Sequence, residues 1–227
     1  MMKIKNEKKA LQMFCETNAL RETYNSPFFN EADGGRLMAT EGHLLILVDR
    51  KLLRGKYKQF SQRLPAFDFN RCDTNITVPF SAIEAAYNKF DLEPEKVTTD
   101  GQSIDCPECD GSGEVEYEYT DNDGHTHYKD CDCPICMGTG QRDDYELVET
   151  GRKILPKEST FTLAGSYVKA EYLWRIVTAL RLMGFESMVL QSQQRGSNIF
   201  RVCDGITVLL MSVMDQAEHH QYIELKI

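Results

Sequence analysis

Residues 106–140 read CPECDGSGEVEYEYTDNDGHTHYKDCDCPICMGTG. Two CxxC pairs, Cys106/Cys109 and Cys133/Cys136, stand 23 residues apart. Each opens the same pattern, CxxCxGxG, closed by Gly111 and Gly113 in the first copy and by Gly138 and Gly140 in the second. Zinc takes four ligands at the corners of a tetrahedron, and thiolate sulfur suits it. One CxxC loop turns two sulfurs toward an ion and a second loop completes the set, so this spacing is a metal-site pattern. Glycine after each pair allows positive φ, which lets the backbone fold closely around the ion. One structural zinc on Cys106, Cys109, Cys133 and Cys136 is expected. Cys131 is a fifth thiol beside the second pair and is left outside the set. His125 and His127 fall at the expected hairpin tip and read as solvated loop residues, because four sulfurs already fill the shell.

The competing chemistry is a disulfide pair or a redox dithiol, since CPEC and CPIC have the form of a thioredoxin-type active pair. That chemistry wants one reactive pair in a βαβ setting. Here there are two pairs with matched glycines.

Outward from this stretch, the charge divides. The net charge is −9, yet residues 106–149 carry 13 acidic and 2 basic side chains, and the remainder 22 acidic and 24 basic. An acidic module is a poor ligand for phosphate, which needs cations. It reads as a protein-contacting element, or as charge that keeps an exposed hairpin soluble. At 227 residues and 41% hydrophobic content, the chain suits one large or two small domains with a real core. No run of about 18 apolar residues is present, so no membrane-spanning helix is expected. The start, MMKIKNEKKALQMFCE, lacks an apolar segment, so no signal peptide is expected. Cys15, Cys72 and Cys203 read as free thiols, which fits a reducing cytoplasm.

Along the chain, Leu11, Phe14 and Cys15 share one face of a helix expected over Glu7 to Leu20. Phe28-Phe29, Arg36 to Thr40 and His43 to Val48 read as strands, with Asp33-Gly34-Gly35 and Glu41-Gly42 as turns. Asn75 to Pro79 is a short strand. A helix over Ser81 to Phe90 follows, with Ser81 and Glu84 in capping-box spacing. Leu173, Ile176, Val177 and Leu180 repeat at helical spacing over Ala170 to Met183, and Gly184 is a stop. Ser187 to Gln191, Asn198 to Cys203 and Ile206 to Val213 are strands, the last two joined at Asp204-Gly205. Gln221 to Ile227 alternates like an edge strand. The expected division is 1–105, a zinc-binding insertion at 106–142, and 143–227. Without the insertion, helices alternate with short antiparallel meanders, an α+β architecture.

Residues Arg50 to Arg71 are basic, and Tyr57, Phe60, Phe67 and Phe69 are interleaved. Lys51, Arg54, Lys56, Lys58 and Arg63 could grip nucleic acid by charge beside stacking aromatics. Equally, this is a solvated loop whose aromatics pack on the sheet.

The repeated CxxCxGxG resembles the cysteine-rich domain of DnaJ-type co-chaperones, over Cys106 to Gly140 alone. That family has four repeats and two zincs. Two repeats imply one zinc, and no helix here bears the HPD signature of a J-domain. A second resemblance covers about two thirds of the body. RLMATEGHLL (36–45), NITVPFSAIE (75–84) and FTLAGSYV (161–168), with the helix after it and the strand LLMSV (209–213), resemble segments of bacterial sliding clamps in that family's order. Clamps are the processivity rings of DNA polymerases. The resemblance implies helices lining a DNA-facing surface, sheets outside, and an apolar groove for partner peptides. By motif match the groove residues are Thr40, Gly42, His43, Leu44, Leu45, Leu209 and Met211. Core residues are the competing reading of these positions. Leu44 stands where the family has arginine, and Ser212 where it has proline. A clamp subunit is much longer, so a ring would need either more copies of this chain, a homo-oligomer, or another closure.

Neither G-x-S-x-G, a phosphate loop nor HExxH occurs, so no enzyme is expected. The sequence points to a non-enzymatic clamp-like scaffold of DNA metabolism that docks protein partners, with weak DNA contact. The other reading is a zinc-stabilised chaperone-like or regulatory adaptor with no DNA role.

Overall fold

The computed structural model describes residues 4–17, 19–62, 67–99, 101–213 and 222–225. The first elements are α1 (Glu7–Gln12), α2 (Glu22–Asn25), β1 (Phe28–Asn30), β2 (Arg36–Thr40), β3 (Leu44–Val48), β4 (Lys58–Phe60), β5 (Ile76–Pro79) and α3 (Phe80–Tyr87). There follow β6 (Glu93–Thr98), β7 (Gln102–Asp105), β8 (Glu114–Thr120), β9 (Thr126–Asp132), β10 (Gln141–Asp144) and β11 (Leu147–Ile154). The last are β12 (Thr160–Leu163), β13 (Ser166–Lys169), α4 (Ala170–Met183), β14 (Ser187–Gln194), β15 (Ser197–Cys203), β16 (Ile206–Met211) and β17 (Tyr222–Glu224). The fold is α+β, with few helices and many antiparallel strands. It forms two compact units, Met1–Asp91 with Leu155–Ile227, and Leu92–Ile154.

In the first unit an eight-stranded sheet runs β4-β1-β2-β3-β16-β15-β14-β5, antiparallel throughout except for β1 beside β4. Successive strand residues point to opposite faces. Leu37, Ala39, Leu44, Ile46, Val208 and Leu210 therefore share one core with Leu11 of α1, Ile83 of α3 and Leu173, Ile176 and Leu180 of α4. The opposite parity, Met38, Leu45, Leu47, Ile199 and Leu209, forms a second core with Phe28, against which Phe60, Phe67 and Phe69 pack. Both faces of β3 are buried, which is why LLILV shows no polar alternation. A smaller sheet, β13-β12-β17, includes the C-terminal segment as an edge strand parallel to β12.

Helix α4 spans the expected residues, and Gly184 ends it at φ 97°, a conformation that favours glycine. The expected helix over Glu7 to Leu20 is shorter. It ends at Gln12, because Phe14 and Cys15 are drawn into the core and the Glu16 N–H bonds to Tyr24 O (2.8 Å), so the chain has already turned back. The expected Ser81–Glu84 capping box does not form. Helix α3 starts one residue earlier with Pro79 at its N-cap, which leaves Ser81 inside the first turn. Glu84 instead takes a bidentate pair from the Arg181 guanidinium of α4, a stronger partner than a backbone N–H.

The second unit is one long antiparallel hairpin in three stages. β6 pairs with β11, β7 with β10 and β8 with β9. It runs beyond 106–142 on both sides, since β6, β7, β10 and β11 extend the same ribbon.

Candidate metal centre

The two CxxC loops lie between the β7–β10 and β8–β9 stages and repeat each other bond for bond. Cys106 O accepts from Gly111 N–H (3.2 Å) and Cys133 O from Gly138 N–H (3.3 Å). The Ser112 hydroxyl donates to Cys109 O (2.7 Å), as the Thr139 hydroxyl does to Cys136 O (2.8 Å). The copies are cross-linked symmetrically, Cys106 N–H to Gly140 O (2.8 Å) and Cys133 N–H to Gly113 O (2.7 Å). This close approach is what demands glycine. A Cβ on Gly113 would stand 2.5 Å from Gly138 O, and one on Gly140 would run into Gly111 O.

The sulfurs of Cys106 and Cys133 are 3.9 Å apart, and those of Cys109 and Cys136 3.8 Å. All four lie within 4.8 Å of one another. A metal–sulfur bond of about 2.3 Å, the value for zinc, gives a tetrahedron with sulfur–sulfur edges of about 3.8 Å. The four cysteines can therefore hold one metal ion. Two backbone donors point at the sulfurs, Gly113 N–H to Cys109 (3.2 Å) and Gly140 N–H to Cys136 (3.3 Å). Among the thiols themselves the protons are unevenly held. Burial pushes Cys133 up to about 11. Burial opposes ionisation of Cys136 as well, but the Gly140 N–H and the neighbouring thiols outweigh it and bring Cys136 down to about 7.

Among the described residues of this unit, the buried ones are the four cysteines, Gly113 and Gly140. Val115 packs against the sulfurs from β8. The unit therefore has almost no apolar core of its own. Ser112 and Thr139 were not singled out from the sequence. Their position between the two glycines of each repeat, GSG and GTG, is the signal that marks them.

Cys131 faces Val115 across β8–β9 and lies outside the four-sulfur group. His125 and His127 are exposed at the hairpin tip and engage Asp121, His127 Nε2 at 2.7 Å. Hydrogen bonding from His127, then from the His125 N–H, holds the Asp121 carboxyl below its usual range.

Of the residues matched to a peptide groove, Leu44 lies in the core beneath the helices, and Leu45 and Leu209 are register partners in the second core. Thr40 is buried, its hydroxyl donating to Leu44 O (2.5 Å) and accepting from Gly42 N–H (3.0 Å). Gly42 and His43 are exposed, and His43 stacks on Tyr172. Met211 is 39% exposed and its N–H bonds to His43 O (3.0 Å).

In the basic segment, Lys51 pairs with Asp49 (3.2 Å) and Asp204 (3.7 Å), and Lys58 with Glu22 (2.5 Å). Arg54 and Lys56 are exposed, and Arg63 lies outside the described residues. Tyr57 packs on the first core with its hydroxyl on Glu7 (2.5 Å), so the aromatics of this segment face the sheet.

No protein-family model matches the chain, and no curated protein does. Solved structures do match. The DNA polymerase III subunit beta from Pseudomonas aeruginosa is 12% identical with a TM-score of 0.38, over 91% of this chain and 65% of that one. A beta sliding clamp from C. crescentus is 12% identical at 0.39, over 93% and 65%. A DnaN sliding clamp from Bartonella birtlesii, bound to griselimycin, is 15% identical at 0.39, over 92% and 64%. These neighbours are sliding clamps. The chain spans about two thirds of their length (65% of the first), and at these scores no site or activity is carried from them to this chain.

Proposed function

We propose that this chain is a non-enzymatic, clamp-like scaffold of DNA metabolism, bearing an acidic arm pinned by one structural zinc on Cys106, Cys109, Cys133 and Cys136. The observation that carries the zinc is the closed set of four buried sulfurs at tetrahedral spacing. Four protein ligands leave no position for a substrate, so the ion would hold structure rather than perform chemistry. The clamp reading rests on the three sequence segments, which fall on β2–β3, β5–α3 and β12–β13–α4 of one unit. The docking edge we assign is Gly42, His43 and Met211, backed by Thr40, Leu44, Leu45 and Leu209, and it suits a partner peptide with an apolar side chain. Lys51, Arg54, Lys56, Lys58 and Arg63 are the assigned DNA contacts, and the cytoplasm the assigned compartment.

Metal analysis of reduced, freshly purified protein tests the first part, with one zinc per chain expected. Binding to single- and double-stranded DNA at two salt concentrations tests the second. Weak binding that falls steeply with salt is expected. No binding at low salt would remove DNA and leave the adaptor reading, a zinc-stabilised chaperone-like or regulatory protein contact. The pairing of Lys51 and Lys58 with carboxylates, and the packing of Phe60, Phe67 and Phe69 on the sheet, favour that second reading.

A further inference from the structure

The two knuckles are copies in backbone and opposites in what they present outward. In the first, the residues at the third and fifth positions are Glu108 and Asp110; in the second they are Ile135 and Met137. Ile135 is 56% exposed and Met137 86% exposed. Met137 sits at φ 53° and Asp110 at φ 49°. Side chains other than glycine are disfavoured in this left-handed region, and Asp and Asn are tolerated far better than Met. Asp110 follows that preference and Met137 defies it. A residue that is exposed, apolar and set against its own backbone preference gains nothing from the fold in which it sits.

We infer that the tip of the second knuckle, Ile135 with Met137, is a docking point for a protein partner that offers an apolar helix face rimmed by Lys and Arg. The apolar face follows from the two exposed side chains, and Met in particular adapts to irregular apolar surfaces. The basic rim follows from the surroundings. The unit Leu92–Ile154 carries 17 acidic and 5 basic side chains, and the matching tip of the first knuckle is itself Glu108 and Asp110. The same charge turns nucleic acid away. This inference deepens the reading of the unit as a metal-pinned protein-contacting arm and rests on it.

The test uses the full chain with its metal content measured alongside. The probes are a labelled amphipathic helical peptide of Leu and Lys, an amphipathic peptide of Leu and Glu, and polylysine matched in charge to the first. Wild-type protein is expected to bind the Leu/Lys peptide, and to bind each of the other two at least tenfold more weakly. Ile135→Glu with Met137→Asp gives the second knuckle the outward residues of the first. It is expected to weaken Leu/Lys binding at least tenfold, and Ile135→Glu alone to weaken it in part. Both variants should keep one metal per chain. Met137→Asp should leave the melting of the unit unchanged or raise it. Equal binding by wild type and double variant overturns the inference, as does equal binding of polylysine, absence of any peptide binding, or a lower melting point for Met137→Asp. Wild-type protein without metal would instead overturn the reading of the arm itself.

Discussion

Gly113 and Gly140 leave less room for a Cβ than the other described glycines. Each holds a positive φ, 82° and 72°, and each faces a carbonyl of the opposite knuckle. Gly140→Ala should therefore cost on the order of 1–3 kcal/mol in backbone strain alone, before the clash with Gly111 O. Metal affinity should drop tenfold or more, read by competition against a chromophoric chelator. Thr139→Ala removes a hydroxyl that donates to Cys136 O, so a milder loss of about 1 kcal/mol is expected. The thiols set the pH response. Ligands bind metal as thiolates, and protons compete for them. Cys133 holds its proton up to about 11 because it is buried, while Cys136 releases its own near 7. Affinity should rise with pH up to about 11 and fall more steeply below about 7, the same titration repeated across pH being the measurement.

At the scale of elements, α3 and α4 are clamped by Glu84 and Arg181. The Arg181 hydrogen bond is the main reason that the Glu84 carboxyl lies below its usual range. A depressed carboxyl contributes stability above its unfolded value of about 4.3, and that contribution is lost as pH falls through the folded value. Glu84→Gln should thus narrow the stability difference between neutral and strongly acidic solution, compared by urea denaturation at both. The effect should be small, since both side chains are about one third exposed. Leu44→Ala is a larger lesion. Leu44 is fully enclosed beneath the helices, and its loss should cost about 2–5 kcal/mol by the same denaturation. Elements with strictly local signals were legible from the chain. Leu173, Ile176, Val177 and Leu180 with Gly184 delimit α4 because each lies within a turn of the next. Helix α1 stops short of its helical spacing because Phe14 and Cys15 keep that spacing while belonging to a turn that the core pulls inward. Ser81 has the right spacing for a cap, but Pro79 holds the N-cap position without a side-chain bond, and Arg181, far along the chain, engages Glu84.

At the scale of the whole molecule, the two units draw stability from different sources. The first has two apolar cores, one on each face of its large sheet. In the second, the buried residues among those described are the four cysteines and two glycines. A strong chelator, or Cys136→Ser, should therefore melt the second unit and leave the first folded, seen as loss of protection from hydrogen exchange over Leu92–Ile154 alone. Collapse of both units would mean that they fold as one. The four-cysteine cluster was readable in the sequence because its parts are short-range: sulfurs three residues apart, glycines just after, and the whole pattern repeated. The face each side chain occupies was not. Leu44 and Leu45 are adjacent in the chain and lie in different cores. Leu45 finds Leu209 only because β3 pairs with β16, and Phe60, Phe67 and Phe69 pack on the core that the strand order assembles. Spacing along the chain carries ligand geometry and helical period, which are properties of neighbours. Burial is a property of residues far apart in sequence, so it came into being only when the strands were laid side by side.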